Sequence, residues 1–175
     1  MMPTKAPAIS ATPATSTDGC YAVTWGTVTD GAWYVTQEQV NFGAFTDIDN
    51  DRSGRLQICG KTNGNYAYRV MACNVSGCGP GSTTVNVKVL LVPSTPDGLN
   101  VTRSLQGTTY KFQGNWSAVD TAPTYQVQKG GATVYTGGST TYLLQTGTGD
   151  HLLTTFQLRA CNASGCSAYV QFPNP

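Results

Sequence analysis

The sequence predicts an all-β protein in which one structural unit is written twice. Three observations carry that reading. Val70-Met71-Ala72-Cys73-Asn74-Val75-Ser76-Gly77-Cys78 returns 88 residues later as Leu158-Arg159-Ala160-Cys161-Asn162-Ala163-Ser164-Gly165-Cys166, almost letter for letter. The tryptophans repeat as well, Val23-Thr24-Trp25 lying 91 residues before Gly114-Asn115-Trp116, and a loop-length difference explains the change of three in the offset. The composition, with 20 glycines, 9 prolines and an excess of Thr, Ser, Val and Asn, is that of short strands joined by tight turns.

Each repeated stretch reads as a β-hairpin with a cystine across its neck. An apolar-alternating run ends in one cysteine, Asn-x-Ser-Gly turns the chain, and the second cysteine opens the next run. Asn and Gly tolerate the positive φ that a tight connector needs. Directly opposed residues of an antiparallel pair stand about 4.5 to 5.5 Å apart at Cα, within reach of a disulfide. The spacing therefore predicts Cys73–Cys78 and Cys161–Cys166 pairs.

Length and charge narrow the class of function. A chain of 175 residues fits two small domains, neither with room for a large core. The formal charge is +1 with 11% charged residues, and lysines such as Lys61, Lys88 and Lys129 stand singly. No basic patch is visible, so neither nucleic acid nor an anionic membrane is expected as a partner. Six cysteines, four in repeated pairs, point to an oxidising compartment. The lead that begins Met1-Met2-Pro3-Thr4-Lys5 holds no apolar run of seven residues, so neither a leader nor a membrane span is expected within these residues. Two histories fit: a piece of a longer secreted protein, or a chain made without a leader that meets oxidant after release from the cell.

The late strands Tyr68-x-Val70-x-Ala72-x-Asn74 and Phe156-x-Leu158-x-Ala160-x-Asn162, each before a Gly turn, and the early strands carrying Trp25 and Trp116 give the chain a family likeness. It resembles tandem fibronectin type III domains, in the cysteine-bearing variety of bacterial and phage surface proteins. The resemblance implies two immunoglobulin-like β-sandwiches, residues 1–92 with an extended lead and residues 93–175. It implies a non-enzymatic structural or adhesive surface module, and the Met start without a leader favours a phage virion component that decorates a capsid or tail. The alternative is a spacer or carbohydrate-binding accessory of a secreted bacterial enzyme or Rhs-like surface protein. This fold hosts many unrelated functions, so the site must argue the rest.

In the first unit, Ala8-Ile9-Ser10-Ala11 is the first strand, ended by Pro13. Cys20 to Val28 alternates, with Tyr21, Val23 and Trp25 on the core face and Cys20 outward. Trp33 to Val40 is the next strand, and Asn41-Phe42-Gly43 turns into Ala44-Phe45-Thr46. Residues 47–54 hold the densest carboxylates, Asp47, Asp49 and Asp51. Their spacing resembles the start of a calcium loop, but Arg52 stands where the EF-hand needs Gly and Ile58 where it needs Glu, so a solvated loop is expected.

Leu56 and Ile58 face inward on a short strand, leaving Cys59 outward. In the fibronectin type III topology this strand neighbours that of Cys20, so the resemblance implies a Cys20–Cys59 cystine. Its 40-residue loop would stabilise by roughly 4 kcal/mol, against roughly 2 for each hairpin cystine. A zinc site of Cys20, Cys59, Cys73 and Cys78 is the other possibility; it would draw ligands from two sheets instead of one knuckle. Tyr66 matches the family's tyrosine corner, where the hydroxyl ties to upstream backbone; Thr154 stands there in the second copy. Ser82 to Leu91 closes the unit, and a stiff linker over residues 92–98 follows.

The second unit repeats the plan. Leu99 and Val101 open it, Tyr110 to Val119 carries Trp116, Thr124 to Gln128 leads to the Gly130-Gly131 turn, and Val134-Tyr135 and Thr141 to Leu144 are short strands. Phe156 to Ala160 and Tyr169 to Phe172 form the closing hairpin. Lys111 and Leu143 or its neighbours replace Cys20 and Cys59, so this unit is expected to be the less stable one.

The sequence yields no catalytic, cofactor-binding or metal-binding set. His151 is the single histidine and has no free thiol to activate. Glu38, Asp97 and Asp120 sit on separate elements. Gly77-Cys78-Gly79-Pro80-Gly81 lacks the Lys-Ser/Thr of a phosphate cradle, and the sequons at Asn74, Asn100, Asn115 and Asn162 reflect composition. What remains is surface. Trp33, Phe42, Phe45 and Tyr169 exceed what a core needs, and the strands around Ala44-Phe45-Thr46 and Val134-Tyr135 are sheet edges. Trp33, Phe42 and Phe45 are the expected interface, toward a protein assembly such as a capsid, tail or cell-surface structure, or toward a surface glycan.

Overall fold

The computed structural model describes residues 1–147 and 156–173. His151 and Thr154 lie outside the described residues. The chain divides into two compact units, Met1–Leu91 and Val92–Pro175.

The first unit holds β1 (Ile9–Thr12), β2 (Thr15–Ser16), β3 (Tyr21–Trp25), β4 (Trp33–Val40), β5 (Phe45–Asp51), β6 (Arg55–Ile58), β7 (Gly64–Asn74), β8 (Gly77–Gly81) and β9 (Val85–Val89). One sheet runs β1-β3-β6; the other runs β2-β9-β7-β4-β5, with β8 also on β7. The chain changes sheets at Pro13, which follows a cis peptide bond, and β2 pairs parallel with β9. Period-two alternation builds the core between the sheets, with Tyr21, Val23 and Trp25 facing Tyr34, Tyr68, Val70, Ala72, Val87 and Val89.

The second unit holds β10 (Asn100–Gln106), β11 (Thr109–Asn115), β12 (Thr124–Lys129), β13 (Ala132–Gly137), β14 (Thr141–Gly147), β15 (Phe156–Asn162), β16 (Gly165–Cys166) and β17 (Val170–Gln171). Its sheets run β10-β11-β14 and β13-β12-β15-β16, with β17 also on β15. Phe112, Trp116, Tyr125, Val127, Phe156, Leu158 and Phe172 fill the core. The described residues contain strands and no helix.

Two devices recur in both cores. Trp25 meets the Tyr34 ring at 5.9 Å, and the Tyr34 hydroxyl accepts from Val28 N at 2.9 Å. Trp116 meets Tyr125 at 5.5 Å, and that hydroxyl accepts from Val119 N at 2.8 Å. A buried polar tip thus finds a partner while the ring fills the core. The second device is a serine that replaces ladder pairing beside the cystine hairpin. Ser82 Oγ accepts from Val70 N and donates to Thr83 O; Ser167 Oγ accepts from Ala160 N and donates to Ala168 O.

All three cystines are formed, Cys20–Cys59, Cys73–Cys78 and Cys161–Cys166, and no described cysteine is free. Such bonds persist under oxidising conditions. The tyrosine corner is also present: Tyr66 Oη donates to Thr62 O at 3.0 Å.

Several expectations require correction. Residues 47–51 are not loop but most of β5, because pairing with β4 along Tyr34–Gln39 overrides the poor strand propensity of Asp and Asn. An outward position on adjacent strands, expected for every cystine pair, does not hold for either hairpin pair. Cys73 and Cys161 are buried, since each lies on a strand flanked on both sides: Trp33 and Cys78 oppose Cys73, and Thr124 and Cys166 oppose Cys161. Lys111, the counterpart of Cys20, faces Thr146, so the position matching Cys59 lies three residues beyond Leu143, one of the three coming from the bulge at Phe112/Gln113.

Candidate functional site

β4 presents its two faces differently. Tyr34, Thr36 and Glu38 point into the sandwich, while Trp33, Val35, Gln37 and Gln39 lie half-buried on the outer face. Since β5 is the sheet edge, this outer face and the β4–β5 turn form an open margin of the first unit.

The turn is the most exposed apolar part of it. Asn41 and Phe42 adopt φ of 47° and 64°, with Gly43 N bonded to Val40 O at 2.9 Å, the positive-φ two-residue turn that suits the twist of a hairpin. Gly is the preferred second residue there, because a Cβ in the left-handed region costs roughly 1 to 2 kcal/mol. Phe42 occupies it nonetheless, 82% exposed, beside the exposed Val40. The backbone beneath is fastened on both sides. Asn41 N donates to Asn65 O, Asn65 N to Asn41 Oδ1, and Gln39 Nε2 to Gly43 O. The phenyl ring is thus held out by a fixed turn.

Phe45 stands behind the tip but is covered, as the Arg69 guanidinium lies 4.3 Å from its ring centroid. Arg69 Nε donates to Gln37 Oε1 at 2.5 Å and Gln37 Nε2 to Asp47 Oδ1 at 2.6 Å, a relay across β7, β4 and β5. Tyr169 of the second unit is covered in the same way by Arg159, 4.5 Å from its ring. The structure therefore places Phe42 and Phe45 at the same end of the β4–β5 hairpin but not Trp33. Trp33 begins β4 and Val40 ends it, roughly 23 Å apart at strand rise.

At its own end, Trp33 lines an open cleft of about 540 Å³ with Asn50, Asp51 and Arg52. Bonds from the Ser53 hydroxyl and the backbone N–H groups of Ser53 and Arg52 hold the Asp51 carboxyl below its ordinary range. The three carboxylates do not converge. Asp47 pairs with outward Gln37, Asp49 with inward Thr36, and Asp51 closes its own turn, with a register shift between the first two. Among the described residues, no three Asp, Glu, His or Cys side chains gather as a metal site.

Sequence reasoning missed a buried polar chain. Tyr21 Oη and Tyr68 Oη are 2.5 Å apart, Tyr68 Oη donates to Glu38 Oε2 at 2.5 Å, and Lys61 Nζ lies 2.6 Å from the same carboxylate. Glu38 is only 7% exposed and both tyrosines are buried, so no substrate reaches them and the chain's role is internal. In the second unit Phe112, Phe156 and Lys129 occupy the corresponding positions. Burial first, then the nearby Glu38 charge, pushes the Tyr21 phenol up to about 12, against the lowering effect of the Tyr68 bond. Burial and the bond to Glu38 push the Tyr68 phenol up as well.

A pH prediction follows with a definite sign. The folded phenols hold their protons above the value near 10 of an unfolded tyrosine. The stability this confers is complete below pH 10 and is lost as pH rises toward the raised value. Calorimetry between pH 9 and 12 is expected to show the first unit losing on the order of 2 kcal/mol, with the second unit as internal control. Equal losses in both units would contradict the assignment.

No protein-family model and no curated protein sequence matches the chain. Among solved structures it is similar to a two-domain fibronectin type III segment of chicken tenascin, at 14% identity and a TM-score of 0.52, over 95% of this chain and 97% of that one. It is also similar to the FN1–FN3 domains of chicken CNTN1, at 15% identity and a TM-score of 0.49, over 97% of this chain and 65% of that longer one. The fold is that of tandem fibronectin type III β-sandwiches.

Proposed function

We propose that the chain is a non-enzymatic adhesive or structural module displayed outside the cell, on a phage particle or another extracellular surface, and that it grips a protein assembly through the β4–β5 tip. The observation that carries this reading is Phe42, a large apolar side chain held in solvent on a backbone conformation that opposes it. A side chain kept at a cost to folding, on a turn otherwise well bonded, is what a contact residue looks like. Three cystines suit an oxidising exterior.

The Trp33 cleft favours a second reading, a glycan-binding accessory, since an indole beside Asn50, Asp51 and Arg52 offers a stacking face with planar hydrogen-bonding groups. One experiment separates the two. The parent chain, a Phe42→Ser/Phe45→Ser variant and a Trp33→Ala variant are compared for retention on purified particles or cells of the producing strain and for binding to immobilised glycans. The proposed function predicts that the first variant folds but is not retained, while the second is retained. Loss confined to Trp33→Ala on glycans would establish the other reading, and turnover of any substrate by the isolated chain would overturn both.

A further inference from the structure

Both cystine hairpins carry a passenger. In the first unit the leading residues lie across the β7–β8 hairpin. The Met1 amine donates to Ser76 Oγ at 3.1 Å, Asn74 Nδ2 donates to Met1 O at 2.9 Å, and Pro3 is buried. Glycines make the approach possible. A Cβ on Gly79 would stand 2.3 Å from Pro3 O, and one on Gly77 would stand 2.9 Å from Met2 Sδ. The second unit repeats part of this with a different occupant: Pro93 is buried, and Val92 Cγ1 lies 3.2 Å from the Cβ position of Gly165, the counterpart of Gly77, while Ser167 follows the second cysteine where the first hairpin has Gly79.

The two hairpins share Asn-x-Ser-Gly-Cys, and the two occupants, Met2-Pro3 and Val92-Pro93, share an apolar residue followed by proline. The common chemistry explains the preference. Proline holds itself and the residue before it in extended geometry, so the segment loses little entropy on docking. The apolar side chain covers the hairpin glycine, and in the first unit the Asn amide reads the preceding carbonyl. Inside each hairpin the same Asn is braced alike, Ser76 N donating to Asn74 Oδ1 and Ser164 N to Asn162 Oδ1. We propose that the Asn-x-Ser-Gly-Cys cystine hairpin is a binding site for an extended apolar–proline peptide, filled by the chain's own segment in each unit, and that its occupants are interchangeable.

The test uses the full chain and the synthetic hexapeptide Leu-Val-Pro-Ser-Thr-Pro, copied from residues 91–96. A Met2→Ser/Pro3→Gly variant, in which the leading segment is released, is titrated with the peptide and followed by amide NMR. Saturable shifts are expected at Ser76, Gly77 and Gly79. The parent chain is expected to bind at least about tenfold more weakly, because its tethered segment competes at high effective concentration. Adding Gly79→Ala, at a glycine without positive φ, should abolish binding. Absence of hairpin shifts at millimolar peptide, equal binding by the parent, or indifference to Gly79→Ala would each overturn the proposal. A second readout does not depend on the released variant folding. Gly79→Ala alone in the parent should leave sheet signals in place while the signals of residues 1–4 sharpen and move; unchanged terminal signals would refute the dock.

Discussion

Glu38→Leu is expected to destabilise the first unit by about 3 kcal/mol, since it leaves a buried tyrosine hydroxyl short of its acceptor and Lys61 without its counter-charge. The same substitution made together with Tyr21→Phe, Tyr68→Phe and Lys61→Met is expected to leave the unit within about 1 kcal/mol of the parent, because a polar chain replaced as a set strands nothing. The second unit already contains part of that solution, with Phe112 and Phe156 in place of the two tyrosines. Denaturant midpoints of the single and quadruple variants decide the matter. Equal losses in both would mean that Glu38 acts through packing alone and that the hydrogen-bonded chain is incidental.

Cys20→Ser/Cys59→Ser is expected to have a similarly large effect, about 4 kcal/mol, through the denatured state, whose loop of some 40 residues is no longer closed. Removing either hairpin cystine opens a far shorter loop and is expected to cost about 2 kcal/mol. The consequence is an order of melting. Non-reducing calorimetry of the parent should show the first unit melting after the second, since only the first has the long cystine, and the double variant should abolish or reverse that order. A single unchanged transition in both proteins would contradict independent units of unequal stability.

The fold was legible because its signals are local and doubled. Alternation placed Tyr21, Val23 and Trp25 inward, and the Asn-x-Ser-Gly-Cys hairpins were readable in each copy from turn chemistry and opposed cysteines. The Cys20–Cys59 bridge was legible only through a family resemblance, because strand adjacency is a tertiary fact. The start of β5 was legible as an edge strand at Phe45 and Thr46, but its continuation was missed because Asp47, Asp49 and Asp51 disfavour strand by themselves, and it is the ladder with β4 that holds them. The polar chain had a usable signal that went unread: the alternation placing Tyr34 and Thr36 inward places Glu38 inward too, and a buried carboxylate requires partners. Its partners come from β3, β7 and the turn carrying Lys61, which no spacing announces. At the candidate site, exposure of Phe42 followed from its turn, whereas the cover on Phe45 depended on Arg69 from another strand and the separation of Trp33 on its place at the far end of β4.

Phe42→Gly tests the proposed function most directly, because two effects of opposite sign are expected from one substitution. Asn-Gly is the favoured pair for this turn, and removing the side chain relieves the left-handed strain, so stability should rise by about 1 kcal/mol. Retention on the particle or cell surface should be lost, because the exposed ring is gone. Measured on the same preparation, a higher melting temperature together with lost retention is the predicted result; full retention by the Phe42→Gly chain would contradict the assignment of the β4–β5 tip as the adhesive site.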